Sequence, residues 1–337
     1  VFVPRSRITI RDVAARAGVS HQTVSRVINN NAPVSDLTRN RVLEAIEDLG
    51  YSPNAIARSM AKGRSSMLAC ISPNLTDYTL SSIIEGAERE ARKNGYYLVS
   101  SSAENEQTFK DLLKELLKSR RVEGLLVINP YVDSRYQLIN PKTPAVFIGS
   151  HSRLKTISSV ALDDFGVAKE ATQYLIHLGH TRIAMVTGPR VEDCTLDRDH
   201  GYKTALEEAG IPFDPSLVIT GDWTATSGYE AIFQLEQQGE LPTAIFAQND
   251  RMAIGVLRAA RELGLSVPEQ LSVIGIDDMP LASYFDPPLT TMRQDMVEIG
   301  SQAAKLLIHS LEGNGLPREH LRIPAKLIVR KSTCEEK

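Results

Sequence analysis

The first fifty residues place apolar side chains with the period of a helix three times in succession. In ITIRDVAARAG the stripe is Val13, Ala14 and Ala17, and in SHQTVSRVIN it is Val24, Val27 and Ile28. In SDLTRNRVLEAIEDLG it is Val42, Ile46 and Leu49. The punctuation agrees with the stripes. Thr9 precedes the first with Asp12 three residues on, the spacing of a capping box, and Ser20 is placed to cap the second. Ser35 opens the third and Gly50 stops it, while Gly18 supplies the backbone freedom of a sharp turn between the first two. Residues 1–51 therefore predict an all-α helix-turn-helix headpiece.

From Met67 the period changes. MLACIS, YYLVSS, GLLVI and AVFI are short apolar strands, and RIAMVTG, SLVIT, TAIFAQ and LSVIGI form a second series. Helical stretches such as SSIIEGAEREARKNG and RMAIGVLRAARELG separate them. This alternation predicts parallel sheets covered by helices on both faces. Polar loop residues follow the strand C-termini in both series, which favours two sheets with a cleft over one large sheet. The fold class is α/β: the headpiece followed by two doubly wound parallel-sheet subdomains, with LRIPAKLIV as the last strand.

Between the two textures lies YSPNAIARSMAKGRSS. Ser52 and Pro53 make a good helix start, but only about nine residues follow before Gly63, too few for a stable isolated helix. Arg58, Lys62 and Arg64 sit there without an acid, so the segment reads as a hinge helix formed on DNA; a plain linker is the alternative.

Charge adds to this picture. The chain has 337 residues and a net charge of −3, but residues 1–64 carry +5 and the remainder −8. A basic head on an acidic body predicts a polyanion partner for the head alone. Cys70, Cys194 and Cys334 are too few and too scattered for a disulfide framework or a metal cluster. With no long apolar run and no leader-like start, a cytoplasmic protein without cofactor or metal is expected.

The second helix carries the clearest chemistry. Gln22, Ser25, Arg26 and Asn29 share the face opposite its apolar stripe, with His21 at the edge. Arg26 can donate bidentately to guanine and Gln22 can pair with adenine. His21 either joins them or contacts phosphate. Thr9, Ser20, Thr23, Ser25, Asn29 and Thr38 are the candidates for phosphate contacts. In the core, Asp163, Arg198, Trp223, Asn249 and Asp277 follow strands or open helices, and Gln294 sits near a crossover. Carboxylates, an amide and a guanidinium fix hydroxyl directions, and an indole suits a pyranose face, so a neutral sugar is expected. Two plainer readings compete: Asp163 as a helix cap and Arg198 as a surface residue of DRDH. No G-x-S-x-G elbow, G-x-x-x-x-G-K loop or G-x-G-x-x-G turn is present, and His180 in LGHT reads as structural, so an enzyme is not expected.

Taken together, QTVSRVIN, YSPNAIARSMA, LGHTRIAMVTG, PTAIFAQNDRMAIGVLRAARELG, LSVIGIDD, GDWTATSGY and DPPLTTMRQD resemble the LacI/GalR family of bacterial transcription regulators over nearly the whole chain. The resemblance implies a headpiece to residue 51, a hinge over 52–66 and a periplasmic-binding-protein-like core over 67–337. It also implies chain crossings near Asp163, Thr291 and Lys326, giving a first subdomain of about 67–162 and 293–326 and a second of about 163–292 and 327–334. A homodimer on a near-palindromic operator follows, with His21 and Gln22 setting its preference and Asn54, Ala57 and Met60 entering the minor groove. Met60 stands where the family usually has Leu. Thr79, Leu80 and Ile83 are implied to line the effector pocket with Asp163, Arg198, Trp223, Asn249, Asp277 and Gln294. Gly149 and Met296 depart from the Asp and the aromatic expected at those places. The expected function is a repressor released from its operator by a small sugar. A purine co-repressor, a phosphoprotein partner, or sugar binding without gene control are the alternatives. The lack of an aromatic pair at Thr79 and Leu80 speaks against the purine, and the basic headpiece against the last.

Overall fold

The computed structural model describes residues 8–29, 33–52, 65–118, 121–140, 142–149, 157–313 and 319–336. The chain divides into two units, 1–65 and 66–337. In the first, α1 (Ile10–Ala17), α2 (His21–Asn29) and α3 (Asp36–Leu49) follow the three stripes. The Asp12 carboxylate accepts the backbone N–H and the hydroxyl of Thr9, each at 2.7 Å, which holds it below the usual carboxylate range. Ser20 Oγ accepts the Thr23 N–H at 3.1 Å. Gly18 turns the chain at φ 65°, and Arg41 closes α1 by donating to the Ala17 carbonyl at 2.6 Å. Val13, Ala14, Ala17, Val24, Val27, Val42 and Ala45 form the buried centre, with Ile28, Ile46 and Leu49 packed at its edge. The expected hinge helix, with Asn54, Ala57 and Met60, falls on 53–64, outside the described residues.

The second unit opens with β1 (Met67–Ser72), α4 (Tyr78–Lys93), β2 (Tyr97–Ser102), α5 (Glu106–Lys118), β3 (Gly124–Ile128), β4 (Ala145–Ile148) and β5 (Ser158–Leu162). There follow α6 (Asp164–His177), β6 (Ile183–Thr187), α7 (Asp193–Glu208), β7 (Val218–Thr220) and α8 (Ala225–Gln237). β8 (Ala244–Ala247), α9 (Asp250–Glu262), β9 (Ser272–Asp277) and β10 (Thr290–Arg293) come next, then α10 (Met296–Leu311), β11 (His320–Ile323) and β12 (Lys326–Ile328). Two six-stranded sheets result, ordered β11-β5-β4-β3-β1-β2 and β12-β10-β9-β8-β6-β7. The chain passes between them at 163, at 294–295 and at 324–325.

Three features differ from the strand expectations. LRIPAKLIV is two strands in two sheets: Pro324 lacks the N–H a ladder needs, and the chain changes sheet there. β12 pairs antiparallel with β10, so the second sheet is parallel except at that edge. β5 has a serine pair, Ser158 and Ser159, that hides a fully buried strand from an apolar-run reading. Ser159 Oγ lies 3.1 Å from His320 Nδ1 across the β5–β11 pair.

Helices meet closely in both halves. A Cβ on Gly86 of α4 would lie 2.0 Å from the Val297 carbonyl oxygen of α10, and one on Gly300 would lie 1.9 Å from that of Ile83. The α8–α9 contact repeats the device: a Cβ on Gly228 would meet Met252 O at 2.1 Å, and one on Gly255 would meet Ala225 O at 1.9 Å. Backbones can approach this far only where no side chain intervenes. No helix among the described residues is long and apolar enough to cross a membrane.

Candidate DNA-reading helix and ligand cleft

On α2 the apolar stripe is buried and the opposite side is open. His21, Gln22 and Arg26 are exposed, and their side chains make no hydrogen bond or ion pair to a described residue. The capping candidates are engaged locally. Ser20 and Thr23 hydroxyls lie 3.0 Å apart, Asn29 donates to the Ser25 carbonyl at 2.9 Å, and Ser35 donates to Thr38 at 2.9 Å. Thr9, Ser20, Thr23 and Thr38 thus gather at helix N-termini, where N–H groups and dipoles favour phosphate. The long unengaged side chains are left on one face.

In the second unit a cavity of about 180 Å³ lies between the two sheets' strand ends. Thr79, Leu80, Ile83, Arg198, Trp223, Asn249, Asp277 and Gln294 all line it, as do Gly149 and Met296. The first half gives a largely apolar wall with Leu80, Ile83, Ile128, Ile148 and Leu162. The second gives a polar wall with Asp164, Glu192, Arg198, Asn249, Arg251 and Asp277 around the Trp223 ring.

Asp163 takes the plainer of its two readings, the helix cap. It does not line the cavity; its carboxylate folds back to accept the Gly166 N–H of the first turn of α6 at 3.3 Å. The next residue takes the place expected of it. Asp164 accepts from Arg198 Nε and Nη2, both at 2.7 Å. Arg198 is 6 % exposed, so the surface reading of DRDH fails for it. Its Nη1 donates to the Gln248 carbonyl, and its guanidinium carbon sits 5.7 Å from the Trp223 ring centre. Asn249 caps α9 through the Met252 N–H at 2.8 Å and donates to the Trp223 carbonyl at 3.1 Å. Trp223 itself has φ 71°, and its ring covers Gly188 so closely that a Cβ there would lie 2.0 Å from it. A side chain at 188 would displace the indole.

Burial governs the charges. It pushes the Asp277 carboxyl well above its usual range, with Asp250 adding to the push and Arg198 opposing it. Burial likewise raises Asp250 to about 7, although Thr291 and the Met279 N–H donate to it. Glu192 is raised by burial against the pull of the Trp223 indole N–H, which donates to it at 3.1 Å. For Asp77 burial also pulls upward, but the Thr79 hydroxyl and Arg251 win and hold it low. His180 lies outside the cavity. Its Nδ1 lies 3.0 Å from the Thr243 hydroxyl and its Nε2 lies 3.1 Å from the Cys334 carbonyl, a clasp on the C-terminal segment.

Several lining residues escaped the sequence reading. Asp77 caps α4 and reaches across the cleft to Arg251 Nη2 at 2.5 Å. Glu192 belongs to a two-rung link between the halves, where Val132 N–H donates to Val191 O at 2.9 Å and Asp193 N–H to Pro130 O at 2.8 Å. Asp77 sits in a readable cap position, ahead of a helical stretch; Glu192 carried no local signal. Among the described residues no His, Cys, Asp or Glu cluster is arranged for a metal.

Residues 9–54 match the family described as bacterial regulatory proteins, lacI family, and residues 172–333 match the periplasmic binding protein-like domain. Catabolite control protein A of Priestia megaterium is 36% identical over 97% of this chain and 99% of its own. The ribose operon repressor of Escherichia coli K12 is 35% identical over 96% and 99%. The solved structure of the lac repressor dimer, bound to operator and the anti-inducer ONPF, has a TM-score of 0.91 at 32% identity, covering 98% of this chain and 100% of that one.

Proposed function

The chain belongs to the lacI family of bacterial regulatory proteins, and from that premise we propose that it represses sugar-utilisation genes until a small sugar enters its core cavity. It is a sequence-specific DNA-binding regulator and not an enzyme. Its partners are operator DNA, a small effector and a second copy of itself, as in the family's dimers. The cytoplasm, where the operator lies, is its place of action.

In this reading Arg26 and Gln22 donate to base edges and His21 tunes the preference, while the hydroxyls at the three helix starts fix register on the phosphates. The sugar sets its hydroxyls against Arg198, Asn249, Asp277 and Gln294 and its apolar face against Trp223 or Leu80, Ile83 and Thr79 of the facing wall. Release requires that the ligand bind one arrangement of the two halves better than the other. Links that span the cleft, Asp77–Arg251 and the strand pair at Val132 and Val191, are the contacts such a rearrangement remakes.

The observation that carries the proposal is the convergence of polar side chains from three separate strand ends and a crossover on one cavity, in a chain whose headpiece leaves Gln22 and Arg26 unengaged by any described residue. Operator titration at fixed salt tests the DNA half. Arg26→Ala is expected to weaken operator binding by about 1–3 kcal/mol, near five- to 150-fold, and to leave a scrambled duplex almost unaffected. Equal losses on both duplexes would reduce Arg26 to a phosphate contact. If no sugar changes operator affinity, the induced-repressor reading fails.

A further inference from the structure

Trp223 is the only tryptophan of the chain, and it is tied at both ends. Its carbonyl accepts from Asn249 Nδ2 at 3.1 Å, and its indole N–H donates to Glu192 Oε2 at 3.1 Å. Its backbone stands at φ 71°, a conformation costly for a bulky residue that persists only where the surroundings enforce it. Beneath the ring lies Gly188, a floor without a side chain, so packing there sets the depth of the indole and not its rotation. Rotation is left to the bond with Glu192.

Glu192 is itself held by both halves of the core. It lies between the two rungs that join them, Val132 N–H to Val191 O at 2.9 Å and Asp193 N–H to Pro130 O at 2.8 Å. Residues 130–132 follow β3 of the first sheet, and 191–193 follow β6 of the second. Glu192 is also the N-cap of α7, yet its carboxyl does not cap that helix. It turns to the indole instead. Burial raises this carboxyl and the indole N–H opposes the rise, but a carboxyl oxygen accepts the bond whether or not the group is ionised.

We propose that Glu192 is a positioning residue through which the joined halves set the Trp223 indole, so that the aromatic face of the cavity is complete only while both rungs are made. This rests on the reading of the cavity as a sugar site and gives that site its link to the conformational change. Parting the halves breaks both rungs, frees residues 191–193 and withdraws the acceptor from the indole. A ligand that stacks on the indole then binds the joined arrangement better than the parted one, which is the unequal affinity that a switch requires. Coupling of this kind is reciprocal, so freeing the indole also loosens the rungs.

Intrinsic emission and acrylamide quenching of the full chain read Trp223 alone, and they test the proposal without a ligand. Glu192→Ala is expected to shift the emission to the red and speed quenching, and Glu192→Gln, which keeps an acceptor, to restore both. The truncation leaves the start of α7 as it is, because the carboxyl does not cap it. Val132→Pro removes a rung donor on the opposite half. It is expected to give the same red shift, and to add nothing when combined with Glu192→Ala. Hydrogen exchange at the Val132 amide is expected to quicken about three- to tenfold in Glu192→Ala, the size of one hydrogen bond.

An unmoved emission in a folded Val132→Pro, or a Glu192→Gln shifted as far as Glu192→Ala, would overturn the proposal. Should Val132→Pro not fold, exchange at Val132 in Glu192→Ala decides, and an unchanged rate sinks the coupling. D-glucose, D-galactose and D-ribose titrated into the same proteins separate this proposal from the sugar reading. A sugar that changes operator affinity is expected to bind Glu192→Ala about three- to tenfold more weakly, with most of the loss recovered in Glu192→Gln. If none of the three changes operator affinity, the sugar reading fails for them, while the ligand-free emission and exchange still decide the role of Glu192.

Discussion

The two halves of the core repeat one strand order, β2-β1-β3-β4-β5-β11 and β7-β6-β8-β9-β10-β12, and each locks a helix pair through reciprocal glycines. Their cavity walls nevertheless share almost no chemistry. The first wall is mostly aliphatic and held by packing, with Asp77 as its charged exception; the second is polar and largely bonded to itself, Arg198 to Asp164 and Gln248, Asn249 to Trp223 and Met252. A parallel sheet buried on both faces demands the same apolar strands and close helices wherever it is built. It leaves the strand ends free. Duplicate scaffolds can therefore carry unlike work: on the proposed reading the polar wall fixes direction and the aliphatic wall adds area. Preorganised polar groups orient a ligand at little reorganisation cost, whereas aliphatic contact is non-directional.

The largest expected effect lies on the polar wall. Arg198→Ala leaves Asp164 buried without its cation, which is expected to cost about 3–5 kcal/mol of core stability, read from the urea midpoint. Sugar binding should be lost with it. Replacing Asp164 and Arg198 together by apolar residues of similar volume should recover most of the stability and none of the binding. A stability loss below about 1 kcal/mol in the single variant would show that this wall is not anchored as described.

The glycines ask whether the scaffolds are equivalent. Gly86→Ala and Gly255→Ala each drive a Cβ to about 2 Å from a backbone carbonyl oxygen on the facing helix. Each is expected to cost about 1–3 kcal/mol, in like measure, by chemical denaturation. A marked inequality would mean that one helix pair can slide and the other cannot, and the two halves would no longer count as one design used twice.

Local signals made much of this legible. The capping pair Thr9 and Asp12, the cap Ser20 and the stops Gly18 and Gly50 act within a few residues, so spacing alone reveals them. Apolar runs such as GLLVI and AVFI mark buried strands by the same local logic. What escaped was set by distant partners. Ser158 and Ser159 are buried in β5 beside β11, more than 150 residues away in sequence. Asp163 and Asp164 are identical letters, and only Arg198 on another helix distinguishes the cavity acid from the cap. Glu192 had no periodic or motif context; Trp223 and the link at Tyr131 give it its place.

The smallest expected effect is on the aliphatic wall, and it separates area from direction. Leu80 lines the cavity while packing partly against the core cluster. Truncation removes apolar contact without stranding any polar partner, so Leu80→Ala is expected to weaken binding by about 1 kcal/mol, near fivefold, for every sugar the protein takes. The ranking of epimers should hold, because on the proposed reading hydroxyl directions are set by Arg198, Asn249 and Asp277, which line the other side. Calorimetry on an epimer pair, such as glucose and galactose, reads both quantities at once. A reordered ranking in Leu80→Ala would assign direction to the aliphatic wall as well, and the division of labour between the two halves would have to be abandoned.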